Sequence, residues 1–286
     1  MLAILGASGQ VGGAVVASLA GDPGTGPVRM IGRRPPAHRP DGAGWVAADL
    51  RDGADALAAA LDGATAVFVL NPVPPDAVNV HADGVALART IADAVVAAGR
   101  PRVVALSGQG AHLDQGNAIV RSLHALEAAL AATGARTTFV RATSFMQNRV
   151  PFALAAAATG AWHALQAPDL RLPAVSAGDV GRCAARMLRD PDPPGVVNVT
   201  GAGTWSEREV ARMVERIAGR PVTVEVVPPA HRAAALRAAG LGPSYAEAVA
   251  TMQSELEAGA LPFAPADLEV AGEEPLEAVL RRALAA

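Results

Sequence analysis

Short hydrophobic runs alternate with helix-forming segments along the first half of the chain. The runs predicted to be strands are Leu2–Leu5, Val28–Ile31, Trp45–Ala48, Ala64–Leu70, Arg102–Leu106 and Thr137–Val140. The segments predicted to be helices are Gln10–Leu19, Ala54–Leu61, Ala82–Ala98 and Ala118–Thr133. Apolar strands that alternate with helices are typical of parallel sheets with right-handed crossovers. The pattern predicts an α/β fold built on a Rossmann-like, doubly wound parallel sheet.

The first predicted strand runs directly into a glycine-rich turn. Its glycines have the spacing G-x-x-G-x-x-G, and the first predicted helix begins beside them. Gly6 permits a tight turn, Gly9 lets the backbone approach a pyrophosphate, and Gly12 lets the helix pack closely on the strand. The turn therefore predicts a dinucleotide site. The residues expected to contact the dinucleotide here are Gly6, Ser8, Gly9, Gln10, Val11 and Gly12.

Two arginines follow the second predicted strand, in the segment Gly32–Pro35. At this position a site selective for NAD usually has an acidic residue that binds the ribose 2′-hydroxyl. Arg33 and Arg34 instead provide guanidinium groups, which suit the 2′-phosphate of NADP(H). The alternative interpretation is that these arginines are simply solvated at the end of a strand. We expect the cofactor to be NADP(H).

Further contacts are expected where the other predicted strands end, because ligands of parallel sheets bind beyond the carboxyl ends of the strands. Asp49 and Leu50 follow the third strand and are predicted to contact the adenine. The proline-rich segment Asn71–Asn79 follows the fourth strand and is predicted to cover the cleft. Gln147 and Asn148 are expected at its entrance. The residues expected to line the cofactor site from these strand ends are Asn71, Pro72, Val73, Ser107, Thr143 and Phe145.

The pattern becomes less regular after Pro151. Strands are predicted at Leu170–Val175 and, as the last of the chain, at Val196–Val199. Helices are predicted at Gly178–Leu188 and Ser206–Ile217, and the rest of the chain is predicted to be mostly helical. We expect an NAD(P)-binding domain over residues 1–150, with its sheet completed by strands within 170–200. Residues 151–286 are expected to form a smaller substrate-binding region.

Composition narrows the chemistry of this chain of 286 residues. None of its 24 basic residues is lysine, which excludes a lysine Schiff base, a Walker lysine and the Tyr-x-x-x-Lys pair. The single cysteine, Cys183, is expected to be a core residue, and no cluster of metal ligands is visible. A net charge of −3 does not indicate nucleic-acid binding. Because the chain has neither a membrane-length apolar stretch nor a signal peptide, we expect a cytoplasmic protein.

With these segments placed, the chain resembles the NmrA-like atypical short-chain dehydrogenase/reductases. The stretches that carry the resemblance are Gly6–Gly12, Gly32–Pro35, Val103–Ser107, His124–Glu127, Phe139–Asn148, Val175–Val180 and Asn198–Gly201. That family contains NAD(P)H:quinone reductases, azoreductase-like proteins and redox-sensing regulators that bind the dinucleotide without turning it over. The resemblance implies dinucleotide binding, but it does not select a substrate.

The chain also departs from the pattern of that family. Ala142 stands where the family usually has proline, and the lysine that some relatives use in catalysis has no counterpart. The only tyrosine, Tyr245, lies in the C-terminal region and is followed by no lysine. The usual proton donor of short-chain dehydrogenases therefore cannot be carried over to this chain.

His124 and Ser107 are the candidate catalytic residues. His124 lies in the helix that follows Ser107 and is predicted to be a general acid or a substrate anchor, unless it is bonded to Glu127. Ser107 is expected to bind a substrate oxygen or the nicotinamide ribose, unless it only caps its strand. Arg141 is predicted to be structural, in an ion pair with Glu127 or Asp179.

Two functions are compatible with these residues. The one we favour is an NADPH-dependent reductase that transfers hydride to a quinone or to an activated C=C, C=O or C=N bond of a small molecule. The other is a redox sensor that binds NADP(H) and signals to a partner protein. The polar groups of the cleft favour the enzyme, whereas the missing tyrosine and lysine favour the sensor. A homodimer is compatible with either function.

Overall fold

The computed structural model describes residues 1–20, 22, 24–36 and 39–285. Its strands are β1 (Leu2–Leu5), β2 (Val28–Gly32), β3 (Gly44–Ala47), β4 (Ala66–Val69), β5 (Arg102–Gly108), β6 (Thr137–Ala142), β7 (Ser144–Phe145), β8 (Ala161–Ala164), β9 (Leu172–Val175), β10 (Val196–Thr200), β11 (Thr204–Trp205), β12 (Thr223–Val226) and β13 (Leu268–Ala271). Its α-helices are α1 (Gln10–Ala20), α2 (Ala54–Leu61), α3 (Val80–Ala97), α4 (Ala118–Ala132), α5 (Val150–Thr159), α6 (Ala177–Arg189), α7 (Glu207–Ala218), α8 (Arg232–Ala238), α9 (Pro243–Glu257) and α10 (Leu276–Leu284).

A large parallel sheet forms the centre of the fold. Its strand order is β13-β10-β6-β5-β4-β1-β2-β3, and all neighbouring strands are parallel. From β1 the chain adds β2 and β3 on one side and then β4, β5 and β6 on the other. The order therefore reverses between β1 and β4, which is where doubly wound sheets bind their ligands. The predicted Rossmann-like sheet is confirmed.

Helices cover both faces of the large sheet. On one face, α1 and α6 pack on a core that contains Ile4 and Phe68. On the other face, α2, α3 and α4 pack on a second core that contains Leu5 and Val67. Successive side chains of a strand point to opposite faces, so a strand buried on both sides needs an unbroken apolar run. This explains why β1 and β4 lack the alternating pattern of a half-exposed strand.

Close helix packing on this sheet depends on glycine at two positions. A Cβ atom at Gly12 would lie 2.2 Å from the carbonyl oxygen of Gly6, where α1 meets the turn after β1. A Cβ atom at Gly181 would lie 2.4 Å from the Cβ atom of Ala14, where α6 packs on α1. Both distances are far below van der Waals contact, so no larger residue fits without moving the backbone.

The C-terminal half contains strands that the hydrophobic pattern does not predict. The predicted strand Val196–Val199 corresponds to β10, but it is not the last strand. β13 lies in the segment predicted to be mostly helical and pairs with β10 at the edge of the large sheet. Its residues alternate between half-buried and exposed, so it lacks the continuous apolar run of a central strand. The large sheet thus draws strands from both halves of the chain.

The other strands that the sequence does not predict belong to two small sheets. The predicted strand Leu170–Val175 corresponds to β9, which does not join the large sheet but lies between β7 and β11. β8 and β12 pair in parallel as a separate two-stranded sheet. These short strands pack on a third core, which contains the fully buried Trp162 and Val210. No helix in the described part of the chain combines the length and hydropathy needed to cross a membrane.

Asp179 connects α6 to the segment that follows β13. Its carboxylate accepts hydrogen bonds from the N–H groups of Glu273 and Glu274, each at 3.1 Å, and from the hydroxyl of Ser176 at 2.9 Å. Burial raises the pKa of this carboxyl group, but the hydrogen bonds outweigh burial and leave the pKa below its usual value. Asp179 therefore anchors the edge strand and is not the partner of Arg141.

Cys183 is a core residue, as predicted. Its side chain lies in α6 among the residues that pack on the first face of the sheet. Burial raises the pKa of the thiol to about 11, although Arg186 acts in the opposite direction. The reactive form of cysteine is the thiolate, so a thiol with this pKa is unreactive at neutral pH.

Candidate functional site

The glycine-rich turn lies at the carboxyl end of β1, where the strand order reverses. Gly6 has a φ angle of +70°, and its N–H group donates to the carbonyl oxygen of Ile31 in β2 at 2.9 Å. The N–H group of Gly9 then donates to the Gly6 carbonyl oxygen at 2.9 Å. A Cβ atom at Gly9 would meet only that oxygen within 4 Å, at 3.2 Å. The outer side of the turn is therefore open to an approaching phosphate.

A cavity of about 610 Å³ extends from this turn to the end of β2. Its walls include Ser8 and Gly9 of the turn, Met30 of β2 and Arg34. Arg33 and Arg34 are both exposed. The volume is within the usual range for ligand sites, and the donor groups are those that bind a phosphate. These residues fit the adenosine half of NADP(H), and contact of the two arginines with the 2′-phosphate stays a prediction.

Asp49 and Leu50 follow β3, where the sequence places them. The side chain of Asp49 caps a short helical turn, Leu50–Asp52, by accepting a hydrogen bond from the N–H group of Arg51 at 3.0 Å. Leu50 is buried in the second core of the sheet. Both residues thus shape the segment beside β3, and their contact with the adenine stays a prediction.

Two residues that follow β4 and β6 each have a buried polar atom without a partner in the described part of the chain. Asn71 donates from Nδ2 to the carbonyl oxygens of Gly84 and Ser122, at 3.0 and 3.2 Å, but its Oδ1 atom has no donor. Thr143 is 3% exposed, and its Oγ1 atom is also unpaired. Buried polar atoms in proteins are normally hydrogen-bonded. These two atoms fit polar groups that a cofactor or substrate would supply.

The other residues predicted near the nicotinamide differ in exposure. Pro72 and Asn148 are exposed, whereas Val73 and Phe145 are half-buried. Phe145 also packs against the first core of the sheet. Gln147 accepts a hydrogen bond at 3.0 Å from the first N–H group of α6. The segment after β6 is thereby held against the large sheet.

The proline-rich segment predicted to cover the cleft is attached to the C-terminal region. The carbonyl oxygen of Pro75 accepts a hydrogen bond from Gly242 at 2.9 Å, and the N–H group of Val80 donates to the hydroxyl of Ser244 at 3.0 Å. Tyr245 packs beside these contacts in a small apolar cluster. The end of this segment is therefore tied to the start of α9, and its role as a cover of the cleft stays a prediction.

Ser107, Glu127 and Arg141 form a buried hydrogen-bonded group near the carboxyl ends of β5 and β6. Arg141 donates from Nε and Nη2 to the two carboxylate oxygens of Glu127, at 2.9 and 2.5 Å. The Ser107 hydroxyl donates to Glu127 Oε1 at 2.5 Å. The hydrogen bond to Glu127 raises the pKa of Arg141, against the effect of burial. Glu127 is thus the partner of Arg141, and Ser107 has only its lone pairs left for a ligand.

His124 is oriented by the backbone rather than by Glu127. Its Nδ1 atom lies 3.0 Å from the carbonyl oxygen of Ala111, in the segment after β5. A carbonyl oxygen can only accept, so Nδ1 carries the proton and Nε2 of the neutral ring has a free lone pair. The catalytic role of His124 stays a prediction, but the structure supplies the orienting partner that the sequence does not reveal.

Arg149 is a residue near this edge that the sequence analysis does not single out. It ends the short helical turn Met146–Arg149, directly after the segment predicted to contact the nicotinamide. Its Nε atom is buried without a partner among the described residues. The feature of the sequence that could have drawn attention to Arg149 is its position, as a charged residue directly before the apolar helix Val150–Thr159.

Comparison with known proteins gives a family and two curated relatives. The NmrA-like family model matches residues 1–265 of the chain. An NAD(P)H azoreductase from Xenophilus azovorans is 30% identical over 205 residues, which are 71% of this chain and 68% of the relative. A (4-alkanoyl-5-oxo-2,5-dihydrofuran-3-yl)methyl phosphate reductase from Streptomyces griseus is 31% identical over 233 residues, which are 79% of this chain and 76% of the relative.

A solved structure confirms the fold. The NADPH-dependent quinone oxidoreductase of Escherichia coli, crystallised with NADPH, superposes with a TM-score of 0.77 at 23% identity, and the match covers 99% of both chains. The family match spans the glycine turn, the cavity at Arg34 and the buried Ser107 group. The chain therefore belongs to the NmrA-like family, as its sequence predicts.

Proposed function

We propose that the protein is an NADPH-dependent oxidoreductase that transfers hydride to a quinone or another conjugated small molecule. The observation that carries the proposal is the open glycine turn at the strand-order reversal, which shares a cavity with Arg34. Two curated relatives are named as reductases, one of them as an NAD(P)H enzyme, and the Escherichia coli structure contains NADPH. The nicotinamide, when bound, supplies the hydride.

The residues of this chain bind and orient that cofactor. The backbone of the turn at Gly9 receives the pyrophosphate, and Arg33 and Arg34 receive the 2′-phosphate. At the other end, Asn71 and Thr143 follow β4 and β6, where the nicotinamide half binds, and one oxygen atom of each has no partner among the described residues.

Replacing Arg33 and Arg34 together by alanine should weaken NADPH binding by about tenfold or more and leave NADH binding nearly unchanged. The reason is that only the charge-assisted contact with the 2′-phosphate is lost. Fluorescence titration of each cofactor measures the two dissociation constants. Equal affinity of the unmodified protein for NADH and NADPH would contradict the assignment.

The reaction can proceed without the missing tyrosine and lysine if the reduced acceptor does not need a positioned acid to protonate it. A reduced quinone is a stable anion that takes its proton from water, whereas an isolated ketone needs a positioned acid. We assign His124 to substrate binding through the planar face of its ring, which Ala111 holds in place, because a quinone has only acceptor oxygens and cannot donate to the Nε2 lone pair. The Ser107 hydroxyl donates to Glu127 and can only accept from a ligand, so it suits a ribose hydroxyl of the cofactor. No proton donor in the protein is required.

The His124→Ala variant should raise the KM for a quinone several-fold and change kcat little. Steady-state kinetics with NADPH and 2-methyl-1,4-naphthoquinone separates the two constants. His163→Ala is the matched control, because His163 is an exposed residue of β8. A kcat that falls by roughly 10²- to 10⁴-fold at unchanged KM would identify His124 as the general acid instead.

The proposed activity is tested directly by NADPH consumption at 340 nm with a panel of quinones, azo dyes and enones. We expect turnover with at least one quinone. Tight NADPH binding without consumption by any acceptor would reject the enzyme. If the protein then binds NADP⁺ and NADPH with different affinities, and if this difference changes its binding to a partner protein, its function is that of a redox sensor.

A further inference from the structure

A second cavity, of about 370 Å³, also borders the glycine-rich turn. Ser8 and Gly9 line the cavity at Arg34, whereas Gln10, the next residue and the first of α1, lines the second cavity. The remaining walls come from the segment after β6 and from α10, and they are Gln147, Val150, Pro151, Val279, Arg282 and Ala283. A pyrophosphate bound at the turn would therefore lie next to this second cavity.

Arg282 is the one charged residue among the described residues that line the second cavity. The others are two glutamines and four apolar residues, so an anion would meet no like charge in this wall. The Arg282 side chain is 61% exposed. A ligand that enters the cavity can therefore reach this side chain.

The position of Arg282 is fixed by the packing of α10. Val279 is buried in the third core and also lines the cavity, and Arg282 follows it by three residues on the same face of the helix. In the described part of the chain, Arg282 makes one hydrogen bond, from Nη2 to the Glu274 carboxylate. A guanidinium group has five N–H donors, so this contact leaves donors for a second anion.

We propose that Arg282 binds the pyrophosphate of the dinucleotide where it passes the start of α1. The turn offers backbone N–H groups, which carry only partial charges, whereas a guanidinium group neutralises a phosphate through charge-assisted hydrogen bonds. The inference rests on the proposed function, because it adds a residue of the C-terminal region to the proposed cofactor site. Arg33 and Arg34 then serve the 2′-phosphate, which only NADP(H) has, and Arg282 serves the pyrophosphate, which NAD(H) and NADP(H) share.

The test compares three ligands that differ in their phosphates. NADPH has the pyrophosphate and the 2′-phosphate, NADH has only the pyrophosphate, and 2′-AMP has only the 2′-phosphate. Each ligand is titrated by calorimetry into the full-length protein. The Arg282→Gln variant should bind NADPH and NADH more weakly by the same factor, about three- to tenfold, and should bind 2′-AMP as the unmodified protein does.

The matched control is Arg281→Gln, and thermal unfolding checks that each variant is folded. Arg281 precedes Arg282 in α10, has a side chain that is 59% exposed and pairs with Glu277, but it does not line the cavity. This control should bind all three ligands normally. The Arg282→Lys variant keeps the charge and should retain more of the affinity for NADPH and NADH than Arg282→Gln does.

Unchanged affinity of Arg282→Gln for NADPH and NADH overturns the inference. A loss that Arg281→Gln shares, or that extends to 2′-AMP, also overturns it, because the effect would then arise from the helix and not from a contact with the pyrophosphate. A loss confined to NADPH and 2′-AMP would assign Arg282 to the 2′-phosphate instead. The titrations need no turnover, so a panel of acceptors without NADPH consumption contradicts the proposed reaction separately.

Discussion

Replacing Gly9 by valine is expected to weaken NADPH binding by roughly a hundredfold or more while the protein stays folded. The new side chain would occupy the open side of the turn and separate the pyrophosphate from backbone donors, which contribute roughly 1.5 to 3 kcal/mol for each charge-assisted hydrogen bond. Folding is preserved because the nearest protein atom to a Cβ at Gly9, the Gly6 carbonyl oxygen, needs to move by only a few tenths of an ångström. Cofactor titration and thermal unfolding measure the two effects.

Substitutions at two other glycines serve as controls for this prediction. Gly26→Val adds the same side chain at an exposed position where a Cβ meets nothing within 4 Å, and it should leave NADPH binding unchanged. Gly12→Ala should instead destabilise the fold, because its Cβ would lie 2.2 Å from a backbone oxygen. Normal NADPH titration of a folded Gly9→Val protein would show that the turn has only a structural role.

Replacing Arg141 by methionine is expected to destabilise the protein by about 3 to 5 kcal/mol. The variant leaves the buried carboxylate of Glu127 with the Ser107 hydroxyl as its remaining hydrogen-bond donor, and an uncompensated buried charge is costly. Urea unfolding measures the change in the free energy of unfolding. Because the ion pair joins α4 to β6 directly beside Ser107, we also expect weaker quinone binding in the variant.

The double variant Arg141→Met/Glu127→Met should recover much of this loss, since replacing both partners by apolar residues removes the buried charge. The matched control is Arg136→Gln, which breaks the exposed ion pair with Asp192 and should cost at most about 1 kcal/mol. If Arg141→Met unfolds at the same urea concentration as the unmodified protein, the pair does not hold this part of the cleft together.

The cleft wall is assembled from distant parts of the chain. The loop after β4 is hydrogen-bonded to residues at the start of α9. Asn117, at the start of α4, donates a hydrogen bond of 2.6 Å to Glu255, near the end of α9. Substrate selectivity in this protein is therefore expected to depend on α9 as well as on the strand ends. Contacts of this kind leave no periodic signal, because the residues are separated by more than a hundred positions.

The sequence by itself determined the fold class and gave a specific prediction for the cofactor end of the site. Strands such as β1 and β4 are buried on both faces, and this burial requires a continuous apolar run that is visible without any tertiary contact. The glycine spacing of the turn is also a local signal. Each glycine is needed because of the conformation or the close packing of backbone only a few residues away. For the same reason the pair Arg33 and Arg34 could be related to the 2′-phosphate from their position at a strand end.

Only the tertiary structure decided the groups that meet across long sequence distances. Composition allowed Glu127 or Asp179 as the partner of Arg141, and the packing of α4 against β6 selected Glu127. The edge strand β13 was missed because alternate residues are solvated and its pairing with β10 spans about seventy residues. The lack of a partner for Arg149 among the described residues could not be predicted, since it depends on all the surfaces packed around the side chain, and no local pattern encodes it.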